Sequence, residues 1–261
     1  MNPTEMRFVS IGHMLNERTG FKWVQTRFLH EIGRRWVRYC TRNLQDVRGL
    51  EHAHALRPER GVILCSNHRS FFDMYVISSV FLCDRVPWFQ QQYFPVRSNF
   101  FYEGWTGLAV NLLMAGGAMY PPVFRDRTQA DLNRISVDRI VRFLQQPGVV
   151  VGMHPEGTRG KGPDPYQVLP AQPGVGQMAL QARVPVLPVW INGLTNDIVR
   201  QIASNFGPEA RRGETIVVRV GKPVDLSDLM TKKGRLTLYK QAADRILGEI
   251  HALGLQARAG G

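Results

Sequence analysis

The stretch Gly61-Val62-Ile63-Leu64-Cys65-Ser66-Asn67-His68-Arg69-Ser70-Phe71-Phe72-Asp73 joins an apolar run to a polar loop and then to a second apolar run. The first run predicts a buried strand at 61–66, and residues 71–83 are predicted to form a helix. A histidine that removes a proton needs one ring nitrogen free and the other held as a donor, commonly by a carboxylate. His68 is therefore a candidate base, with Asp73 as its partner. Alternatively, Asp73 only caps the helix and His68 is a surface histidine.

A second segment of this kind, His154-Pro155-Glu156-Gly157-Thr158-Arg159, follows the apolar run 148–153. Arginine binds anions through two parallel N–H hydrogen bonds, and glycine lets backbone N–H groups approach a ligand closely. Glu156 can orient Arg159 or accept a hydrogen bond from a substrate hydroxyl. Taken alone, the segment also fits a polar turn with a surface Glu–Arg pair. Because chemistry in open α/β sheets gathers where strands end, both segments are candidates for a functional site.

Strands and helices alternate along the rest of the chain. Further strands are predicted at 86–90, 118–124, 148–153, 185–191 and 214–220. Further helices are predicted at 104–115, 129–146, 174–183 and 235–254. This order predicts an α/β fold with a mostly parallel central sheet flanked by helices.

The composition indicates a folded, strongly basic protein. Of its 261 residues 44% are hydrophobic, which is enough for a sizeable core, and the formal net charge is +12. Such a charge favours an anionic partner, which could be nucleic acid, a membrane surface or a phosphorylated substrate. No nucleic-acid-binding motif accompanies the charge, so no nucleic-acid partner is expected. The three cysteines show no metal-ligand spacing, so no metal is expected either.

Residues 1–45 carry eight Lys and Arg against three Asp and Glu, and residues 21–44 are predicted to form one amphipathic helix. An apolar arc and a basic arc suit a helix that lies in an anionic membrane interface. The alternative is a helix packed on the domain with its basic face in solvent. The predicted organisation is a membrane-interface segment at 1–45 and one domain at 46–261. The apolar arc comprises Phe21, Val24, Phe28, Leu29, Ile32, Trp36, Tyr39 and Cys40, and the basic arc comprises Arg27, Arg34, Arg38 and Arg42.

The segment 104–124 is the best candidate for a transmembrane span because it carries no charge. It contains Asn111, four glycines and Pro121-Pro122, however, and a span tolerates polar interruption poorly. A core helix running into a strand is the favoured interpretation.

Four segments in this order resemble the boxes of the PlsC-type glycerolipid acyltransferases, the 1-acylglycerol-3-phosphate acyltransferase-like family. The resemblance spans about residues 60–195 and is carried most strongly by the first and third boxes. The matching segments are Asn67-His68…Asp73, Phe124-Arg125-Asp126-Arg127, His154-Pro155-Glu156-Gly157-Thr158-Arg159 and Val184-Pro185-Val186-Leu187-Pro188-Val189.

The resemblance implies roles for individual residues. His68 would be the general base for the acceptor hydroxyl, and Asp73 would hold its tautomer. The residues implied to bind substrate are Asn67, Arg127, Glu156, Gly157, Thr158 and Arg159.

The resemblance also implies substrates and a location. The donor would be acyl-CoA or acyl-carrier protein, and the acceptor would be a lysolipid similar to lysophosphatidic acid in phospholipid biosynthesis. No cofactor is implied beyond the donor. The protein would act peripherally or monotopically at an anionic membrane surface, on the cytoplasmic face of the cell membrane.

Two departures from the family pattern leave the acceptor open. His154 stands where the family usually has Phe, and Gln172 stands where a Lys is common. Another lysolipid, or an amino-acid or sugar lipid with a free hydroxyl, therefore fits nearly as well. A non-catalytic lipid-binding member of the fold is the remaining alternative.

Overall fold

A computed structural model of the chain describes residues 3–98, 102, 105–124, 129–211 and 215–260. Within these residues, six strands form one sheet in the order β1-β8-β7-β2-β6-β3. Every neighbouring pair is parallel except β7 and β8, which are antiparallel. The predicted mostly parallel sheet is therefore confirmed. The six strands are β1 (Gln45–Arg48), β2 (Val62–Ser66), β3 (Gln91–Tyr93), β6 (Val149–Met153), β7 (Val186–Asn192) and β8 (Ile216–Val220).

The central strands have the composition that their position demands. All five residues of β2 are buried, as are the first four of β6 and the first six of β7. A strand covered on both faces needs a continuous apolar run, whereas a strand exposed on one face alternates. The strand β8 shows that alternation, because its first, third and fifth residues are buried. The sequence thus distinguishes the interior of the sheet from its margin.

Helices cover the sheet on both faces. The helices that follow the N-terminal segment are α4 (Leu50–Ala55), α5 (Asp73–Cys83), α6 (Trp105–Ala115), α7 (Ala130–Phe143), α8 (Pro173–Ala182), α9 (Ile198–Phe206), α10 (Pro208–Arg211), α11 (Ser227–Met230) and α12 (Leu236–Ala259). The helices α8 and α12 cross closely at Gly176, where an added Cβ would lie 2.0 Å from the carbonyl oxygen of Tyr239. Only glycine permits this approach.

The N-terminal segment consists of α1 (Pro3–Glu17), α2 (Thr19–Phe28), a π-helical stretch (Leu29–Gly33) and α3 (Arg34–Thr41). The prediction of one helix at 21–44 is therefore wrong in detail, and α1 was not predicted. The helix α3 packs against α5. The face turned to the protein carries the buried residues Leu29, Gly33, Val37 and Thr41. Of the predicted apolar arc, Leu29 lies on this face, and the partly buried Phe28 and Trp36 also pack against the core.

Two predicted strands are misplaced. Residues 86–90 form a turn after α5, in which Phe89 N–H donates to the carbonyl of Val86, and pairing begins only at β3. Residues 118–124 form a strand only at β5 (Pro122–Val123), which pairs with β4 (Val96–Arg97) in a separate small sheet. Pro121 and Pro122 lack the N–H groups that a central strand needs. The elements β1, β4, α4, α9, α10 and α11 were not predicted either, and each spans nine residues or fewer.

Candidate active site

The candidate site lies where β2, β6 and β7 end at the same edge of the sheet. In the register of β2 with β6, Cys65 is opposite Met153, so the loops that begin at Asn67 and His154 are neighbours. The side chain of Asn67 ties its loop to the third strand: its amide donates to the carbonyl of Ile191 and accepts from Ile191 N–H, both at 2.8 Å. Asn67 is buried, with both ends of its amide engaged by the protein. The structure thus gives Asn67 a positioning contact.

His68 and Asp73 meet across the junction between β2 and α5. Nδ1 of His68 lies 3.0 Å from Oδ2 of Asp73. The same oxygen accepts from the N–H groups of Arg69 at 2.7 Å and Ser70 at 2.8 Å. Because a carboxylate only accepts, the proton of the neutral imidazole is assigned to Nδ1. This leaves Nε2 with the lone pair that a general base needs.

Burial and charge keep the imidazole neutral. Burial lowers the pKa of His68 below its ordinary value, and the nearby guanidinium groups of Arg159 and Arg97 lower it further. Burial raises the pKa of the Asp73 carboxyl, while His154 and the N–H groups of Ser70 and Arg69 act in the opposite direction. At neutral pH His68 is consequently a neutral imidazole, protonated on Nδ1 only, which is the form that accepts a proton.

Glu156 holds the two loops together. Its Oε1 accepts from the backbone N–H of His68 at 2.8 Å, and its Oε2 accepts from that of Leu169 at 2.7 Å. The residue is only 2% exposed, and burial raises the pKa of its carboxyl. The N–H of Gly160 donates to the carbonyl of His68 at 2.8 Å, which adds a second link. In this geometry the Glu156 carboxylate fixes the backbone that carries the base.

The remaining predicted residues differ in their surroundings. Arg159 donates to Oδ1 of Asn196 at 3.0 Å, and that oxygen also accepts from Phe71 N–H at 2.8 Å. Gly157 has a φ of +63°, and its N–H donates to the carbonyl of His154 within a turn. Thr158 lies partly exposed between these two residues. Arg127 lies outside the described residues.

His154 forms part of the site in a way that the sequence did not reveal. Its ring stacks on that of His68, with 3.8 Å between centroids and 6° between planes. Its Nδ1 lies 3.1 Å from the carbonyl oxygen of Ser66 and 3.0 Å from that of Asn67. Since both carbonyls only accept, Nδ1 carries the proton. The sequence did offer one signal for this contact: His154 is an aromatic residue that directly follows a predicted strand, as His68 does shortly after its own strand.

Comparisons with known proteins identify the class of this protein. A model of the Acyltransferase family matches residues 45–192, more than half of the chain, and the protein belongs to that family. Solved structures with the same fold include the 1-acyl-sn-glycerophosphate (LPA) acyltransferase PlsC from Thermotoga maritima, with a TM-score of 0.52 and 18% identity. The match covers 97% of this chain and 88% of that one. A comparison with curated protein sequences gives no significant match.

Within the described parts of the chain, no helix combines the length and the apolar character that crossing a bilayer requires. The uncharged segment 104–124 contains α6, whose 11 residues are too few for a span.

Proposed function

We propose that the protein transfers a fatty acyl chain from a thioester donor to the free hydroxyl of a lysolipid. The observation that supports this most directly is the His68–Asp73 pair, in which a buried carboxylate holds Nδ1 and leaves Nε2 as the base. The proposed donors are acyl-CoA and acyl-carrier protein. The proposed acceptor is a lysophosphatidic acid-like lysolipid, which would place the reaction in phospholipid biosynthesis.

The reaction follows from the proton positions in this pair. Nε2 of His68 removes the proton of the acceptor hydroxyl while the oxygen attacks the thioester carbonyl. The tetrahedral intermediate then collapses, the ester forms, and the C–S bond breaks. The imidazolium of His68 returns its proton to the departing thiolate. Asp73 stabilises the imidazolium while it exists, so no acyl-enzyme is required.

The acceptor's anionic group is assigned to Arg159 in this proposal. The guanidinium of Arg159 lies close enough to His68 to lower the pKa of that histidine. An acceptor that presents its hydroxyl to His68 would therefore bring a nearby phosphate to Arg159. Asn196 orients the guanidinium through the 3.0 Å hydrogen bond. We also propose Arg127, Gly157 and Thr158 as substrate contacts and Glu156 as the residue that positions the loop.

The acceptor's head group stays open between two kinds of lysolipid. The neutral side chain of Gln172 packs against Gly157. A Cβ added to Gly157 would lie only 3.1 Å from Cγ of Gln172. A lysolipid with a small neutral or sugar head group is therefore an alternative acceptor. A panel of lysolipids offered to the purified enzyme distinguishes them by kcat/KM.

We further propose that the N-terminal helices lie on an anionic membrane surface. Large apolar side chains on α2 and the π-helical stretch face solvent: Trp23 is 65% exposed, Val24 57% and Ile32 56%. The helix α6 contacts the π-helical stretch and exposes Trp105 and Leu113. Exposed apolar groups beside exposed arginines suit an anionic interface. The proposed location is peripheral or monotopic, on the cytoplasmic face of the cell membrane.

The catalytic proposal is tested with His68→Ala. Release of free thiol from acyl-CoA in the presence of lysophosphatidic acid is expected to fall by a factor of about 10³ or more, because the base is removed. Folding and vesicle binding should persist. Substantial turnover by purified His68→Ala protein would contradict the mechanism. An unmutated protein that binds lysolipid but releases no thiol would instead indicate a lipid-binding function.

A further inference from the structure

A large basic cavity opens beside the catalytic loop. Its volume is about 790 Å³, in the range of small-molecule binding sites. Four cationic side chains line it: Arg69 from the His68 loop, Arg159 and Lys161 from the loop after β6, and Arg200 from α9. No acidic side chain occurs among its described lining residues. Four like charges around one concave space favour an anionic occupant.

These four cations are not neutralised within the described parts of the protein. Arg69 donates to the carbonyl of Gly162 at 2.6 Å and Arg159 donates to the Asn196 amide, both of which are neutral acceptors. The side chains of Lys161 and Arg200 form no ion pair with a described carboxylate. The cavity therefore keeps four formal positive charges for a ligand, and phosphate groups are the anions that arginine binds most specifically.

The cavity is longer than a single phosphate requires. It extends along the edge of the sheet from Arg69, beside the end of β2, to Leu44 and Ile216, where β1 and β8 begin. In the strand order these ends are separated by three steps, β2 to β7 to β8 to β1. At about 4.8 Å per step, the cavity spans roughly 14 Å. The far end is thus well separated from the base.

We propose that this cavity binds the phosphorylated pantetheine arm of the acyl donor. The inference rests on the proposed acyl transfer from a thioester. An acceptor's phosphate lies only a few bonds from its reacting hydroxyl and must stay near His68. The donor's phosphate is separated from the reacting thioester by the long pantetheine arm. Only the donor carries an anion that is well separated from its reacting group, as the far part of the cavity is from His68. Arg200 supplies charge there, because α9 is tied through Asn205 to Asn43, beside Leu44.

The test compares donors with and without phosphate. The variant Arg200→Gln is expected to raise KM for acyl-CoA about fivefold at low salt, since one charge–phosphate contact is lost. Its KM for an acyl-pantetheine thioester, which lacks phosphate, should equal that of the unmutated enzyme. Its KM for lysophosphatidic acid should also stay unchanged. The matched control is Lys233→Gln, an exposed cation that does not line the cavity.

Three outcomes decide the proposal. A higher KM for lysophosphatidic acid with an unchanged KM for acyl-CoA would overturn it and assign the cavity to the acceptor. Unchanged values for all substrates would overturn it as well. A higher KM for either acyl-CoA or acyl-carrier protein supports it, and the more sensitive donor identifies the source of the phosphate.

Binding of CoA by calorimetry separates this proposal from the proposed function. If the unmutated enzyme shows no acyl transfer, the catalytic proposal fails while CoA binding still reports on the cavity. A weaker affinity in Arg200→Gln then supports a phosphate site, and an equal affinity overturns it.

Discussion

At the scale of single residues, catalysis depends on how firmly the His68 ring is held. Asp73 fixes one edge of the ring through Nδ1, and His154 covers one face at 3.8 Å. The Glu156 carboxylate fixes the backbone beneath it at 2.8 Å. Three contacts from two loops thus restrict both the direction and the tilt of the base, which is the condition for efficient proton transfer.

His154 is expected to act through the face of its ring. His154→Ala should lower kcat about tenfold or more, because the His68 ring loses its stacking partner and gains freedom. His154→Phe keeps an aromatic face and should retain kcat within about threefold. Steady-state kinetics on both variants, with circular dichroism to confirm folding, make the comparison. Equal kcat values for the two variants would show that the stacked ring does not position the base.

The pH dependence should reveal the influence of Arg159 on the base. Burial lowers the pKa of His68 below its ordinary value of 6.5, and the neighbouring Arg159 cation lowers it further because it disfavours the imidazolium. Removing that cation in Arg159→Gln raises the pKa. The acid limb of kcat/KM should therefore move to higher pH by about half a unit or more. A limb that stays in place or moves to lower pH would refute this electrostatic coupling, and Lys233→Gln serves as the control.

At the scale of elements, the N-terminal helices are joined to the sheet through a buried lysine. Nζ of Lys22 donates to Oε1 of Gln25 at 2.6 Å and to the carbonyl of Gln92 at 2.8 Å. It also donates to Oδ1 of Asn16 at 3.2 Å and lies 3.4 Å from the ring centroid of Tyr93. Four neutral groups surround the amine, so α1 and α2 are held to β3 by polar contacts inside the protein.

The stability of the protein should depend on pH through Lys22. Burial lowers the pKa of Lys22 well below 10.5, so the unfolded chain binds more protons than the folded one between those two values. The free energy of unfolding should then rise with pH in that window, by at most about 1.4 kcal/mol per unit from this group. Lys22→Met lacks this contribution. Urea unfolding of both proteins at pH 6 to about 9 measures the difference, and parallel curves would disprove it.

At the scale of the whole molecule, the positive charge and the exposed apolar side chains both favour contact with an anionic membrane surface. The formal net charge of +12 attracts the protein to anionic lipids, and α2, the π-helical stretch and α6 expose large apolar side chains. The proposed donor cavity lies at the edge of the sheet, and no residue of α2 lines it. Membrane contact and donor binding are therefore assigned to different parts of the structure.

Membrane binding should depend on the exposed side chains of α2. Trp23→Ser/Val24→Ser is expected to weaken binding to anionic vesicles about tenfold or more, because burial of each side chain contributes about 1.5–3 kcal/mol. Turnover of short-chain, water-soluble substrates should be unchanged. The control is Leu236→Ser, whose side chain is 68% exposed, against 65% for Trp23, and lies at the start of α12. Equal vesicle binding by the double variant and the control would assign the lipid contact to another surface.

Local patterns predicted much of the order of strands and helices. The apolar runs predicted β2, β6 and β7, and the spacing of His68 and Asp73 predicted their meeting across one turn. The predictions failed where a residue's local preference was outweighed by its neighbours in space. The segment predicted as one helix at 21–44 shows this. Lys22 is buried against the carbonyl of Gln92 in β3, while Phe21, Val24 and Ile32 of the predicted apolar arc are exposed.

The sequence by itself determined the α/β class and the His68–Asp73 pair, because periodicity and short-range spacing act within a few residues. The tertiary structure alone decided the roles of Asn67, Glu156 and His154. Their partners lie 124 and 88 positions away for Asn67 and Glu156, and His154 reaches back 87 positions to the carbonyl of Asn67. Such contacts depend on strand order and register, which place distant loops at one edge of the sheet. No local pattern encodes that arrangement.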